Sequence, residues 1–178
     1  MAERASSLFA FRATFVGLVA LVATLQLLPI NPGPGAIPGP DIILLIAFSW
    51  LVVRPNYVPV ALLAAVFLMA DLLLMRPPGL WTALAILCGE FLRARRAALR
   101  AASFPTEWAL IAGLVTAMTI ANALVLAIFN VDQPSLGLTI IRLVFTILCY
   151  PLGNRTQSQG RKMQDPILIT TTLLYTLF

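Results

Sequence analysis

The sequence contains no histidine. It therefore offers no imidazole for acid–base chemistry and none as a metal ligand. It has two cysteines, Cys88 and Cys149, both inside apolar runs. No C-x-x-C spacing occurs, so they read as small buried residues rather than a redox or metal pair. Charge is also scarce. Only 11% of the 178 residues are charged, against roughly 25% in soluble domains. No Ser-His pair, phosphate-binding glycine loop or carboxylate cluster is visible. These absences argue against an enzyme, and no catalytic residue, cofactor or metal is expected.

Apolar residues make up 60% of the chain, and its mean hydropathy is +0.94. A soluble core could not hide that much apolar surface, so the implied solvent is lipid. A hydrocarbon layer about 30 Å thick takes about 20 helical residues per crossing. The length thus allows five to seven spans in one all-α membrane domain, 1–178, with no sizeable soluble part. The net charge of +5 does not indicate nucleic acid as a partner, because the basic residues sit at span ends.

Residues 1–12 form a short charged start with Glu3, Arg4 and Arg12, and the first span covers 13–28. No A-x-A cleavage site follows, which argues against a signal peptide. Proline and glycine at 29–40 cannot continue a helix and read as a loop. The second span, 41–53, is short for a crossing. A tight turn at Arg54-Pro55-Asn56 leads to the third span, 57–74, with Pro59 tolerated in its first turn. A second turn at 75–79 leads to the fourth span, 80–92. This helix is expected to run on along the surface through Arg93, Arg95, Arg96 and Arg100. The fifth span, 108–129, starts at an interfacial Trp108. A polar loop at 130–135 precedes the sixth span, 136–152. The tail, 153–178, is first polar and basic, then apolar but too short to cross.

Basic residues alternate between the loops. Arg4 and Arg12, Arg54, the four arginines after span four, and Arg155, Arg161 and Lys162 fall on one side. The opposite side carries only Arg76. The positive-inside rule therefore predicts a multi-pass inner-membrane protein with both termini cytoplasmic.

The charged residues within or beside the spans are Asp71, Arg76, Glu90 and Arg142. An ionisable group inside a span costs about 2.5–3.5 kcal/mol on insertion scales, so each needs a partner. Asp71 lies about one turn from the outer end of span three, and Arg142 about 9 Å inside span six at 1.5 Å per residue. One reading pairs Asp71 with Arg142 or Arg76. The other lets each side chain snorkel to the interface. Glu90 stands three residues before Arg93, the spacing of a helical ion pair; a proton or substrate role is the alternative. The arginine cluster reads as a topology determinant touching anionic lipid, or as a docking site for a cytoplasmic partner.

Span five carries small residues every fourth position, at Ala109, Gly113, Ala117 and Ala121. Such a ribbon lets two helices pack backbone to backbone. Its user is either this chain's own bundle or a partner's span. Thr116 and Asn122 stand ready for interhelical hydrogen bonds, and Ala13 and Gly17 repeat the pattern weakly in span one.

The run Pro-Gly-Pro-Asp ending at Asp41, RPNYVP at 54–59, ADLLLMRPPGLW at 70–81, EFLR at 90–93 and EWALIAG at 107–113 together resemble the MreD family. These are bacterial rod shape-determining membrane proteins. The match covers roughly 11–152, and its strongest part joins Asp71-Leu72-Leu73 to Arg76-Pro77-Pro78-Gly79-Leu80. The resemblance implies a six-span bundle similar to the substrate-binding subunits of energy-coupling-factor transporters. It also implies a non-enzymatic part of the elongasome, which maintains rod shape through lateral peptidoglycan synthesis. The implied partners are MreC, held through its single span, and MreB, RodA and the elongation transpeptidase. After Leu152 the likeness ends, as expected of a divergent or frameshifted tail. The second reading is a small-molecule-binding membrane subunit of a transporter.

Overall fold

The computed structural model describes residues 2–27, 39–53, 57–131 and 135–154. Among these the chain is all-helical. Its elements are α1 (Ala2–Leu27), α2 (Ile42–Val53), α3 (Val60–Leu73), α4 (Leu80–Ala94), α5 (Arg96–Ala101), α6 (Phe104–Ile128) and α7 (Leu136–Asn154). The turn read at 54–56 and most of the proline-rich loop lie outside the described residues. So do 132–134 and the tail from 155.

The bundle is built around α2. Its sequence is apolar on every side, and a helix of that kind has to be buried. All ten residues from Ile42 to Leu51 are buried, including the bulky Trp50 and Phe48. Helices α1, α4, α5 and α7 surround it. At 12 residues and 1.5 Å per residue it is only about 18 Å long, well short of a bilayer's hydrocarbon core.

Two helical stretches, Leu8–Leu27 and Phe104–Ile128, are long and apolar enough to cross a membrane. Only 22% of each hydrophobic window is buried, unlike the core helix of a soluble domain. Phe9, Leu87, Ile128, Phe129 and Leu136 all point outward. This composition and exposure are compatible with a membrane protein. Three shorter apolar helices, Ile42–Val52, Val60–Leu73 and Leu136–Pro151, complete the set.

Two helices extend beyond the spans read from the sequence, and one is broken. Helix α1 runs from Ala2 through the charged start into the first apolar run, where no glycine or proline interrupts it. The helix after Leu92 does not run on unbroken. It stops at Arg95 and resumes as α5, which folds back against α2 and buries Leu99. Helix α7 continues to Asn154 through Pro151. Proline has no N–H for the carbonyl four residues earlier, here Ile147. The indole N–H of Trp108 donates to that carbonyl at 3.1 Å, so the break in the ladder is filled from α6.

The α2–α3–α4 contact depends on Gly89. A Cβ there would stand 3.0 Å from Leu63 Cδ2 and 3.1 Å from Leu51 Cδ1. By contrast, a Cβ on Gly113 of α6 would meet nothing within 4 Å. Overpacking a filled core costs about 1–3 kcal/mol. Each kcal/mol moves the midpoint by about 2–4 °C for a chain of this size. Gly89→Leu is therefore expected to lower Tm by about 4–8 °C in detergent, and Gly89→Ala by less. Gly113→Leu should remain within about 2 °C of the parent. Thermal unfolding of the three purified variants checks this order.

Candidate functional site

Asp41 lies where an apolar run follows Pro-Gly-Pro, the position of a helix N-cap. Its backbone carbonyl opens α2 by accepting from Leu45 N–H at 3.1 Å. Its Oδ1 accepts from Leu44 N–H at 3.3 Å, a side-chain cap. Its Oδ2 accepts from two arginines, Arg76 Nη1 at 3.3 Å and Arg142 Nη2 at 3.1 Å. The Asp41 side chain is 5% exposed, against 19% for Arg76 and 37% for Arg142. The backbone N–H of Asp41 donates to Thr146 Oγ1 at 3.0 Å, and that hydroxyl donates to the Arg142 carbonyl at 2.7 Å. One residue thus joins α2, the α3–α4 turn and α7. The Arg76 guanidinium also lies 5.6 Å from the centroid of the Trp81 ring, within cation–π range.

Of the two readings for Asp71, a pair with Arg142 or Arg76 and a separate reach to the interface, its side chain takes neither. It is fully buried and serves α4 instead. Gly79, the N-cap of α4, sits at φ 90° and has no side chain to cap with. Asp71 Oδ2 supplies the missing acceptor from eight residues upstream. It accepts from Gly79 N–H at 3.2 Å, Thr82 N–H at 3.1 Å and Thr82 Oγ1 at 2.7 Å. Thr82 is the third residue of α4, whose N–H a capping side chain normally takes. A carboxylate at that end also faces the positive pole of the helix. Its Oδ1 accepts no hydrogen bond among the described residues. The chain reverses through Met75 at φ 52°, where Arg76 N–H donates to the Asp71 carbonyl at 3.0 Å.

At the other end of the bundle, Glu90 accepts from Arg93 at 2.6 Å, and Arg93 also donates to the Val58 carbonyl ahead of α3. With Glu90 half exposed, such an i,i+3 pair contributes about 0.2–0.5 kcal/mol. Tyr150 donates to Glu107 at 2.5 Å, next to the Trp108–Ile147 bond. Trp108 therefore acts as a donor to α7 as well as a span-end aromatic. Among the described residues no three His, Cys, Asp or Glu side chains cluster as metal ligands.

Compared with known proteins, the chain matches no family model, no curated protein and no solved structure.

The ribbon of small residues faces outward. Ala109, Gly113 and Ala117 are exposed and Ala121 is half-buried. Helix α6 packs on α4 and α7, and its buried residues are Ile111, Val115, Met118 and Leu126. Among the described residues, no other helix of this chain covers Ala109, Gly113 or Ala117. Thr116 donates to Ala112 of its own helix at 2.8 Å rather than across helices. Ala13 and Gly17 of α1 are exposed as well.

Of the four charged residues singled out in the sequence, Arg76 and Arg142 come together, and Asp71 and Glu90 do not join them. The residue that unites the two arginines is Asp41, which the span assignment had absorbed as the first residue of span two. Its signal was the N-cap position itself. With donors on both of its oxygens, the Asp41 carboxylate acts as a tie between elements. Removing one member of a buried ion pair costs about 3–5 kcal/mol. Asp41→Ala, which strands two guanidinium groups, should cost the most stability. Arg142→Met should cost less, because Asp41 keeps Arg76 and Arg142 is partly exposed. Asp71→Arg combined with Arg142→Asp should be no better than the worse single variant. Unfolding midpoints of these variants in detergent test the assignment; rescue by the charge swap would refute it.

Proposed function

We propose that this chain is a non-enzymatic scaffold subunit of the bacterial elongasome, resembling MreD. It crosses the inner membrane six times with both termini cytoplasmic. It binds the single span of MreC and works with MreB, RodA and the elongation transpeptidase in lateral peptidoglycan synthesis. On this reading the short α2 needs no match to the bilayer thickness, because other helices rather than lipid surround it.

The observation that carries the reading is where the family-like segments meet. Asp41 of the Pro-Gly-Pro-Asp run takes Arg76 of the RPPG turn. The Val58 carbonyl of RPNYVP takes Arg93 of EFLR. Glu107 and Trp108 of EWALIAG hold the end of α7. Family-like segments spread between Pro38 and Gly113 thus take part in closing the bundle. Their charges are spent on internal ties, which suits a scaffold better than a transport site. The outward ribbon of α6 is the face assigned to MreC, since small residues permit close helix approach.

Depleting the protein from its rod-shaped source cell is expected to produce round cells. Gly113→Leu should fold normally, restore rod shape poorly and reduce co-purified MreC about tenfold, a change of about 1.4 kcal/mol. A growth defect cured by an added vitamin, with rod shape intact, would replace this reading with the transporter subunit.

A further inference from the structure

Helices α1 and α3 leave a groove of about 320 Å³ between them. Val16, Ala20 and Ala23 line one wall, and Leu62, Ala65 and Met69 line the other. Every lining side chain is apolar. No donor or acceptor is offered to a polar metabolite, and a flexible hydrocarbon chain is the chemistry that fits.

The occupant is read from the charge at the end of the groove.

At the Leu73 end of the groove the nearby Arg76 is already paired with Asp41, whereas the opposite end carries an exposed cation. Arg12 stands one turn before Val16 on the same face of α1, since positions four apart are neighbours on a helix. It is exposed, and it makes no ion pair or hydrogen bond among the described residues. Phe11 packs on Tyr57 with ring centroids 4.8 Å apart, which sets the Arg12 turn level with the start of α3. There the Val58 carbonyl holds Arg93, so a second guanidinium lies at the same end of α3.

We propose that the α1–α3 groove seats one acyl chain of an anionic phospholipid, with the lipid phosphate against Arg12. A basic residue at the membrane surface attracts anionic lipid, and a guanidinium donates well to phosphate oxygens. The groove walls set the position of the chain, and Arg12 selects the headgroup. The inference rests on the helices lying in lipid and not on any role in cell shape. Its failure would leave the MreC test untouched.

The test is native mass spectrometry of the full chain released from detergent micelles. Phosphatidylglycerol and phosphatidylcholine with identical acyl chains are offered in equal amounts. The parent should retain one phosphatidylglycerol at least fivefold over phosphatidylcholine. Arg12→Gln should remove about fivefold of that preference. Ala65→Phe, which fills the groove, should remove the retained lipid of either kind. Equal retention of both lipids by the parent overturns the proposal. So does an unchanged preference in Arg12→Gln, or a lipid still held by folded Ala65→Phe. If Ala65→Phe does not fold, Arg12→Gln alone decides, because its side chain is exposed and has no ion pair among the described residues.

Discussion

Asp41 sits at the start of the most deeply buried helix and shares one carboxylate oxygen between two arginines from different parts of the chain. Each arginine alone would be an expense in an apolar setting. Two facing each other without the carboxylate would add repulsion. With it, three charges and a capped helix terminus satisfy one another at a single point. The Asp41 carboxylate therefore decides the relative placement of α2, α7 and the α3–α4 turn. Packing alone could not, because α2 is greasy on every side and its surface says little about rotation or depth. A directional polar contact supplies the register that uniform apolar packing lacks.

The other polar contacts follow the same logic. Asp71 caps a helix that begins at a glycine, and Trp108 donates to a carbonyl that a proline has left open. Arg93 reaches the backbone ahead of α3. These polar side chains each repair a defect in the backbone ladder or join two elements. The outward faces are then left with large apolar groups and small ones. A partner meeting such a face is selected by shape and close approach, since little charge is presented to it.

Much of this architecture was legible in the sequence. Long apolar runs broken by Pro-Gly clusters marked the helices, and Leu80, Ile42 and Leu136 fall at or beside the expected starts. The four-residue spacing of Ala109, Gly113 and Ala117 was visible, though not the direction it faces, because a small residue packs equally well inward or outward. Depth along the spans leaves open whether Asp71 pairs with an arginine or reaches the interface; the fold instead satisfies it locally, through the N–H groups of Gly79 and Thr82. That freed both arginines for Asp41. Local capping outcompeted a long-range pair because it needs only a tight turn and no third helix. The sixth span already ran past Pro151, but what makes this possible was hidden, since the compensation comes from a side chain on another helix.

The indole of Trp108 stands in for an amide that Pro151 cannot supply, and this makes the two positions a single unit of heredity. A residue with its own N–H at 151 would compete with the indole for the same oxygen. Loss of the indole would leave that oxygen stranded in an apolar wall. Related chains should therefore carry the tryptophan and the proline together or lack both, so drift at one site is constrained by a site 43 residues away.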